Sequence, residues 1–321
     1  MTAIIPKSTS DEDSGALETA DARCGLVESM AVDLDRWRPS VHPTQKGAEH
    51  LMPDNHAEGF AWQLRVWDRM ADVYEKEIDR RFGPVVEHVL KLADLRPGET
   101  VLDLGTGTGA VAICAATQVG TSGRIKAVDI SPEMLSKAKE RLRGLRITNV
   151  DLAEARAEAI PANDASLDAI IASLSLMYVI DRATAAKEVA RVLRPGGRFV
   201  AAVWAGPAEA DIVKFQQTAG SFAPTPPVRG VGPGALADPT EFLSQLRAAR
   251  LEANCEKVTT TFEFANFDAA WDALAGVTTA ALEPNVQEDA KAAVRALMWP
   301  DRTGPRTFCN ATQVIFARKA A

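Results

Sequence analysis

The chain has 321 residues, 46% hydrophobic and 25% charged, which is ordinary globular usage with ample apolar material for a sizeable core. Its 36 basic and 43 acidic residues leave a formal charge of −7 with no basic stripe, which argues against a nucleic-acid partner. Cys24, Cys114, Cys255 and Cys309 are scattered without zinc or disulfide-scaffold spacing, and the opening MTAIIPKSTSDEDSG has no basic start and apolar run, so a soluble cytoplasmic protein with no membrane segment is expected.

Residues 1–55 are acidic and broken by Pro39, Pro43 and Pro53. They read as a mobile arm: a plain tail, or a cover for the active site or for a dimer partner. Residues 56–97 form an N-terminal helical cover, because Trp62, Val66, Trp67, Met70, Tyr74, Ile78, Val86, Val89 and Leu90 recur at helical spacing. Gly83-Pro84 is expected to divide it into two helices.

From 98 to 206 short apolar runs alternate with amphipathic stretches, the pattern of parallel βαβ units. Strands are expected near 100–104, 124–129, 147–152, 167–173 and 198–204. Ser131-Pro132 caps one intervening helix, another starts near Asp181, and Pro195-Gly196-Gly197 marks the latter's end. Residues 207–321 hold a substrate loop and the last strands. The stretch 205–237 is rich in glycine and proline, with one short helix around Asp211 to Ser221, and two β-rich runs, 254–264 and 306–318, flank a helical insertion over 267–298.

The segment from Val101 to Gly109, VLDLGTGTG, is a strand running into a glycine-rich turn and a helix. Glycines let a ligand touch the backbone there, and the helix start supplies free N–H groups. Gly105-x-Gly107-x-x-Ala110 also satisfies the dinucleotide fingerprint, so the glycines alone do not name the ligand. Asp103, two residues before the first glycine, is poorly placed for a pyrophosphate and well suited to the ammonium of a methionine moiety. Asp129, at the tip of the second strand, can accept from both ribose hydroxyls of an adenosine, or it can cap the next helix.

VLDLGTGTG is followed by AVDISPEML from Ala127 to Leu135, AEAIP from Ala157 to Pro161, SLDAIIASLSLMYVID, and LRPGGRF from Leu193 to Phe199. In this order and spacing the chain resembles the small-molecule class I methyltransferases of the ubiquinone/menaquinone C-methyltransferase-like group, over roughly Trp67 to Trp204. The resemblance implies a Rossmann-like seven-stranded sheet of the α/β class, with one antiparallel strand near its C-terminal end and S-adenosyl-L-methionine as methyl donor. By position it implies that Gly105, Thr106 and Gly107 hold the methionine portion and Asp129 the ribose. Ile130 would pack against adenine, Ala157 and Glu158 would border its edge, and Ser173 would line the sulfonium side. Relatives often have aspartate where Arg156 stands.

Relatives also often carry a histidine just after the fourth strand, where this chain has Met177-Tyr178. His42, His50, His56 and His88 all lie outside that slot, and His88 is expected to be an ordinary surface or core histidine. Tyr178 is the candidate for orienting the acceptor, or else a pocket wall. The acceptor is therefore expected to be a small molecule with a soft or activated nucleophile: sulfur, nitrogen, an acidic phenol oxygen or an activated ring carbon. Trp67, Tyr74, Trp204, Phe215, Phe222, Trp271 and Trp299 offer aromatic surface to enclose it, although for each singly core packing is the plainer role. No metal is expected, since no cluster of His, Cys and carboxylates has ligand spacing. A homodimer stays open. So do three rival functions: a non-catalytic S-adenosylmethionine-binding protein, an NAD(P)-dependent oxidoreductase, disfavoured by Asp103, and a protein or RNA methyltransferase, disfavoured by the acidic charge.

Overall fold

The alternating apolar runs become strands and crossover helices. The computed structural model describes residues 54–301 and 303–321, with side chains from His56 onward, so the expected arm up to residue 53, and with it His42 and His50, lies outside the described residues, and its last two residues, Asp54 and Asn55, already belong to a helix. The sheet has seven strands: β1 (Thr100–Leu104), β2 (Arg124–Asp129), β3 (Val150–Glu154), β4 (Leu167–Ser173), β5 (Leu193–Trp204), β6 (Leu251–Phe264) and β7 (Arg306–Lys319). Their order is β3-β2-β1-β4-β5-β7-β6. β1 to β5 pair in parallel, and β7 runs antiparallel to both β5 and β6, as the resemblance implies.

Strands buried on both faces read as continuous apolar runs, and β4 (LDAIIAS) and the later half of β5 are buried almost throughout. Chain order reverses between β1 and β4, and at such a switch point the crossover helices diverge and leave a crevice beyond the carboxyl ends of the strands. The helices α3 (Ala110–Val119), α4 (Pro132–Gly144) and α5 (Arg182–Val192) are the crossovers. Ser131 caps α4 by accepting from Met134 N–H, and Asp181 caps α5 by accepting from Thr184 N–H.

Several boundaries differ from the pattern reading. The cover is α1 (Asp54–Val73), a π turn (Tyr74–Ile78) and α2 (Asp79–Ala93), running on without a break at Gly83-Pro84. Pro84 lies inside α2 and removes one hydrogen bond, yet burial of Phe82, Val85, Val86, Val89 and Leu90 holds the helix together. The wide turn comes earlier, at Tyr74, where π turns commonly re-aim side chains. Strand β3 starts three residues later than expected. The Pro195-Gly196-Gly197 turn is an irregularity within β5, where the partners jump from Leu167↔Leu193 to Ala169↔Arg198.

Beyond β5 come α6 (Asp211–Gly220), α7 (Thr240–Ala248), α8 (Phe267–Leu274), α9 (Gly276–Thr279) and α10 (Pro284–Met298). The expected insertion over 267–298 is thus three helices, and α7, which buries Phe242 and Leu246, has no counterpart in the pattern reading. Among the described residues no helix is long and apolar enough to cross a membrane.

Candidate active site

A cavity of about 1080 Å³, measured with its open mouth, lies at the carboxyl ends of β1, β2 and β4. Its roof is α1, the π turn and the start of α2, which contribute Phe60, Gln63, Trp67, Tyr74, Asp79 and Phe82. Gly105, Thr106, Gly107, Asp129, Ile130, Ala157, Glu158, Ser173 and Tyr178 all line it. Asp103 does not; it sits one layer behind.

The glycine turn is built by its own backbone. Gly105 and Thr106 N–H both donate to Val128 C=O at 2.9 Å, which folds the end of β1 across the end of β2. Gly105 has φ +78°, and a Cβ there would come 2.4 Å from that of Ser175, so the position admits only glycine. Gly107 has φ +53°, and a Cβ there would meet nothing within 4 Å. Its missing side chain leaves the cavity floor open.

Asp129 accepts from Gly107 N–H at 2.8 Å through Oδ2 and from Ser131 N–H at 3.0 Å through Oδ1. It therefore braces the turn and the start of α4 together, while Ser131 Oγ does the capping. Burial raises its ionisation above the usual carboxylate range, and the backbone N–H groups of Ser131, Gly107 and Ile130 work against that. Asp103 is 1% exposed beneath the turn, where Oδ2 accepts from Thr106 Oγ at 2.6 Å and Oδ1 has no partner among the described residues. Burial pushes this carboxyl up to about 7.

Other carboxylates at the cavity also brace the protein. Glu158 accepts from Ile180 and Asp181 N–H at 3.2 and 3.1 Å, which fixes the turn between Tyr178 and α5. Asp79 accepts from Thr108 Oγ at 2.6 Å and pairs with Arg141, whose guanidinium also donates to Thr108 C=O at 2.8 Å. This link ties α2, the glycine turn and α4, and nothing in the local sequence marks Asp79. The same holds for Asp68 on α1, which accepts from Ser131 Oγ at 2.6 Å. Arg156, where relatives often have aspartate, lies over the Phe60 ring at 4.4 Å, and both line the cavity.

Tyr178 ends a short 3-10 turn (Leu176–Tyr178) and packs edge-on against Trp67, ring centroids 4.6 Å apart, and Tyr74 also packs edge-on against Trp67 at 6.1 Å. The chain has only two tyrosines, and both line this cavity. Burial holds the Tyr178 phenol well above its ordinary ionisation, so it stays protonated near neutrality. Of the remaining aromatic candidates, Trp204, Phe215 and Trp299 are buried in the core and Phe222 and Trp271 are half-buried away from the cavity. His88 sits at the surface, 3.0 Å from Glu256, and His56, in the first turn of α1, does not line the cavity.

Residues 58–218, half of the chain, match the family described as the ubiE/COQ5 methyltransferase family. Nocamycin O-methyltransferase of Saccharothrix syringae is 38% identical over 42% of this chain and 48% of its own length. The ubiquinone/menaquinone biosynthesis C-methyltransferase UbiE of Klebsiella pneumoniae is 40% identical over 49% of this chain and 61% of its own. The chain thus spans about half to three fifths of the length of these relatives. Among solved structures, the YcgJ protein from Bacillus subtilis is similar with a TM-score of 0.55 at 21% identity, over 74% of this chain and 98% of that one, a likeness of fold.

Proposed function

The chain belongs to the ubiE/COQ5 methyltransferase family, and from that premise we propose that it transfers a methyl group from S-adenosyl-L-methionine to a small-molecule acceptor. The observation that carries this reading is the open cradle at Gly107 with the Asp129 carboxylate beside it. An ionised carboxylate has about four acceptor positions, so Asp129, with one bond from Gly107 N–H and one from Ser131 N–H, can also accept from ribose hydroxyls. Asp103 Oδ1, buried without a partner, suits a cationic group just beyond the turn, although the layer of Thr106 lies between. Ile130 would pack against adenine and Ala157 and Glu158 would border its edge, with Arg156, also at the cavity, able to stack on the ring or donate to it where an aspartate would accept.

S-adenosylmethionine, when bound, supplies a methyl group on a sulfonium, electrophilic without further activation. What remains for the protein is orientation and exclusion of water. Trp67, Tyr74 and Tyr178 wall the acceptor side, and their faces suit both an organic ring and positive charge. Among the described residues no histidine lines the cavity, and the carboxylates that do, Asp79, Asp129 and Glu158, each brace the protein through at least one oxygen. A soft or activated nucleophile, sulfur, nitrogen, acidic phenol oxygen or activated ring carbon, fits a cavity in which no histidine stands among the described residues.

Calorimetry with S-adenosylhomocysteine and NADH, then a screen of small molecules with labelled S-adenosylmethionine and mass spectrometry of products, tests the reading. Tight NADH binding with no response to S-adenosylhomocysteine would overturn it. Asp129→Ala should weaken S-adenosylhomocysteine binding by about 1–3 kcal/mol for lost charged hydrogen bonds, with a melting curve run to separate any loosening of the turn. Tyr178→Phe should lower single-turnover rates by about tenfold or less, because a positioned base is worth about 10² to 10⁴ and a buried phenol that stays protonated is not one. A thousandfold loss together with disappearance of a basic-limb ionisation would make Tyr178 the base.

A further inference from the structure

Asp79 opens α2, directly after the π turn, and lines the cavity with only 10% of its side chain exposed. Its bonds to the protein fall on one oxygen. Oδ2 accepts from Thr108 Oγ and pairs with Arg141, whereas Oδ1 accepts from nothing among the described residues and is not sealed off from solvent. For a side chain so little exposed, the cavity that it lines is the opening available to that oxygen.

The tie between α4 and the glycine turn does not depend on this carboxylate, because Arg141 by itself donates to Thr108 C=O at 2.8 Å and to Thr108 Oγ at 3.2 Å. A largely buried carboxylate with one oxygen unused is costly unless a donor meets it. Thr108 follows Gly107, so the bond to Thr108 holds Asp79 beside the part of the turn that has no side chain. The other acidic groups are less suited to a cation there. Asp129 takes a backbone N–H on each oxygen, Glu158 fixes the turn before α5, and Asp103 lies one layer behind, bonded to Thr106.

We propose that Oδ1 of Asp79 receives the ammonium group of the methyl donor's methionine portion. This rests on the methyl-transfer reading, which supplies the ligand, while the contact itself is measured separately from it. Arg141 and Thr108 fix the carboxylate before the ligand arrives, so the ammonium meets an acceptor already oriented. A donor molecule held at its ribose by Asp129 and at its ammonium by Asp79 is anchored on both sides of the sulfonium, and that fixes the direction in which the methyl group is presented. Asp79 is a binding and positioning residue; no proton leaves or joins the reacting atoms through it.

The test is calorimetric titration of three ligands into the wild type, Asp79→Asn and Asp103→Asn. The ligands are S-adenosylhomocysteine, its analogue with hydrogen in place of the amino group, and 5′-methylthioadenosine, which lacks the whole amino-acid end. The wild type should prefer S-adenosylhomocysteine to the des-amino analogue by about tenfold or more, the lower end of what a charged hydrogen bond provides, because Arg141 shares the charge. In Asp79→Asn the amide oxygen can still serve Thr108 and Arg141 while its NH₂ replaces Oδ1, so the preference should shrink to about threefold or less and 5′-methylthioadenosine should bind as it does to the wild type. A merely structural Asp79 would instead lower the melting temperature and weaken all three ligands in parallel with the preference kept, and that result overturns the proposal. A preference that Asp103→Asn abolishes and Asp79→Asn leaves intact overturns it too. Should Asp79→Asn not fold, Asp79→Ser gives the same comparison. A wild type that binds all three ligands equally overturns this proposal alone, whereas one that binds none of them overturns the methyl-transfer reading with it.

Discussion

Gly107→Val is expected to lower affinity for S-adenosylhomocysteine by about 100-fold or more, close to 3 kcal/mol. Two effects act and can be separated. The backbone at φ +53° disfavours a β-branched side chain, a strain of about 1–2 kcal/mol that falls on folding. Gly107 lines the cavity and a Cβ there would meet nothing of the protein within 4 Å, so the valine side chain is expected to take ligand space, and that cost falls on binding. Gly107→Ala shares the strain and intrudes less, so its affinity should lie between wild type and valine while its melting point matches valine's more closely. Gly105→Ala is the contrasting case: its Cβ would strike Ser175 at 2.4 Å, so stability should suffer first. Calorimetry and thermal melting on the same samples give both numbers. A Gly107→Val protein that binds within a few-fold of wild type would place the donor elsewhere.

What could be read along the chain was whatever its neighbours in sequence determine. The strand, the glycine turn and the start of α3 form one continuous unit, and the cap at Ser131 is set within four residues. Asp103 shows the limit. Its position was legible, but the side of the turn it would face was not, because that depends on a hydroxyl three residues later that draws the carboxylate beneath the floor. Gly83-Pro84 is a strong local breaker that tertiary burial overrides, while the π turn at Tyr74 carries no sequence signal at all. Asp68, Asp79 and Phe60 join the site through contacts spanning 29 residues or more, which no local pattern encodes. The helix α7 follows Pro239 and buries only Phe242 and Leu246, too short a stripe to stand out from the loop before it.

The contribution of Asp103 to the stability of the ligand-free protein should fall as pH rises from about 4 to about 7, so Asp103→Asn should gain stability relative to the wild type over that range. Folding pushes the Asp103 carboxyl up to about 7, whereas in the unfolded chain it ionises near the ordinary value of about 4. Between those limits the unfolded chain has released a proton that the folded chain keeps, so unfolding is favoured progressively with rising pH and the loss levels off above 7. Three units correspond to at most about 4 kcal/mol, an upper bound because solvent and relaxation reduce it. Asp79, Asp129 and Glu158 are raised by burial as well and tilt the curve the same way, whereas Glu99, held down by Arg198, and Asp181, held down by its Thr184 hydrogen bonds, tilt it the other way. The comparison of wild type with Asp103→Asn therefore isolates the one group. Urea melts at pH 5 and pH 8 provide the two points, and parallel curves for the two proteins would show that Asp103 ionises normally beneath the turn. The ligand adds a second reading of the same carboxylate. A bound sulfonium donor brings positive charge near Asp103 and favours its ionised form, so affinity for S-adenosylmethionine should strengthen several-fold from pH 6 to pH 8. The asparagine variant should bind it more weakly and without that rise. A wild-type affinity that is flat across this range would mean that the unpartnered Oδ1 of Asp103 is insulated from the donor, leaving the ammonium to the backbone of the turn.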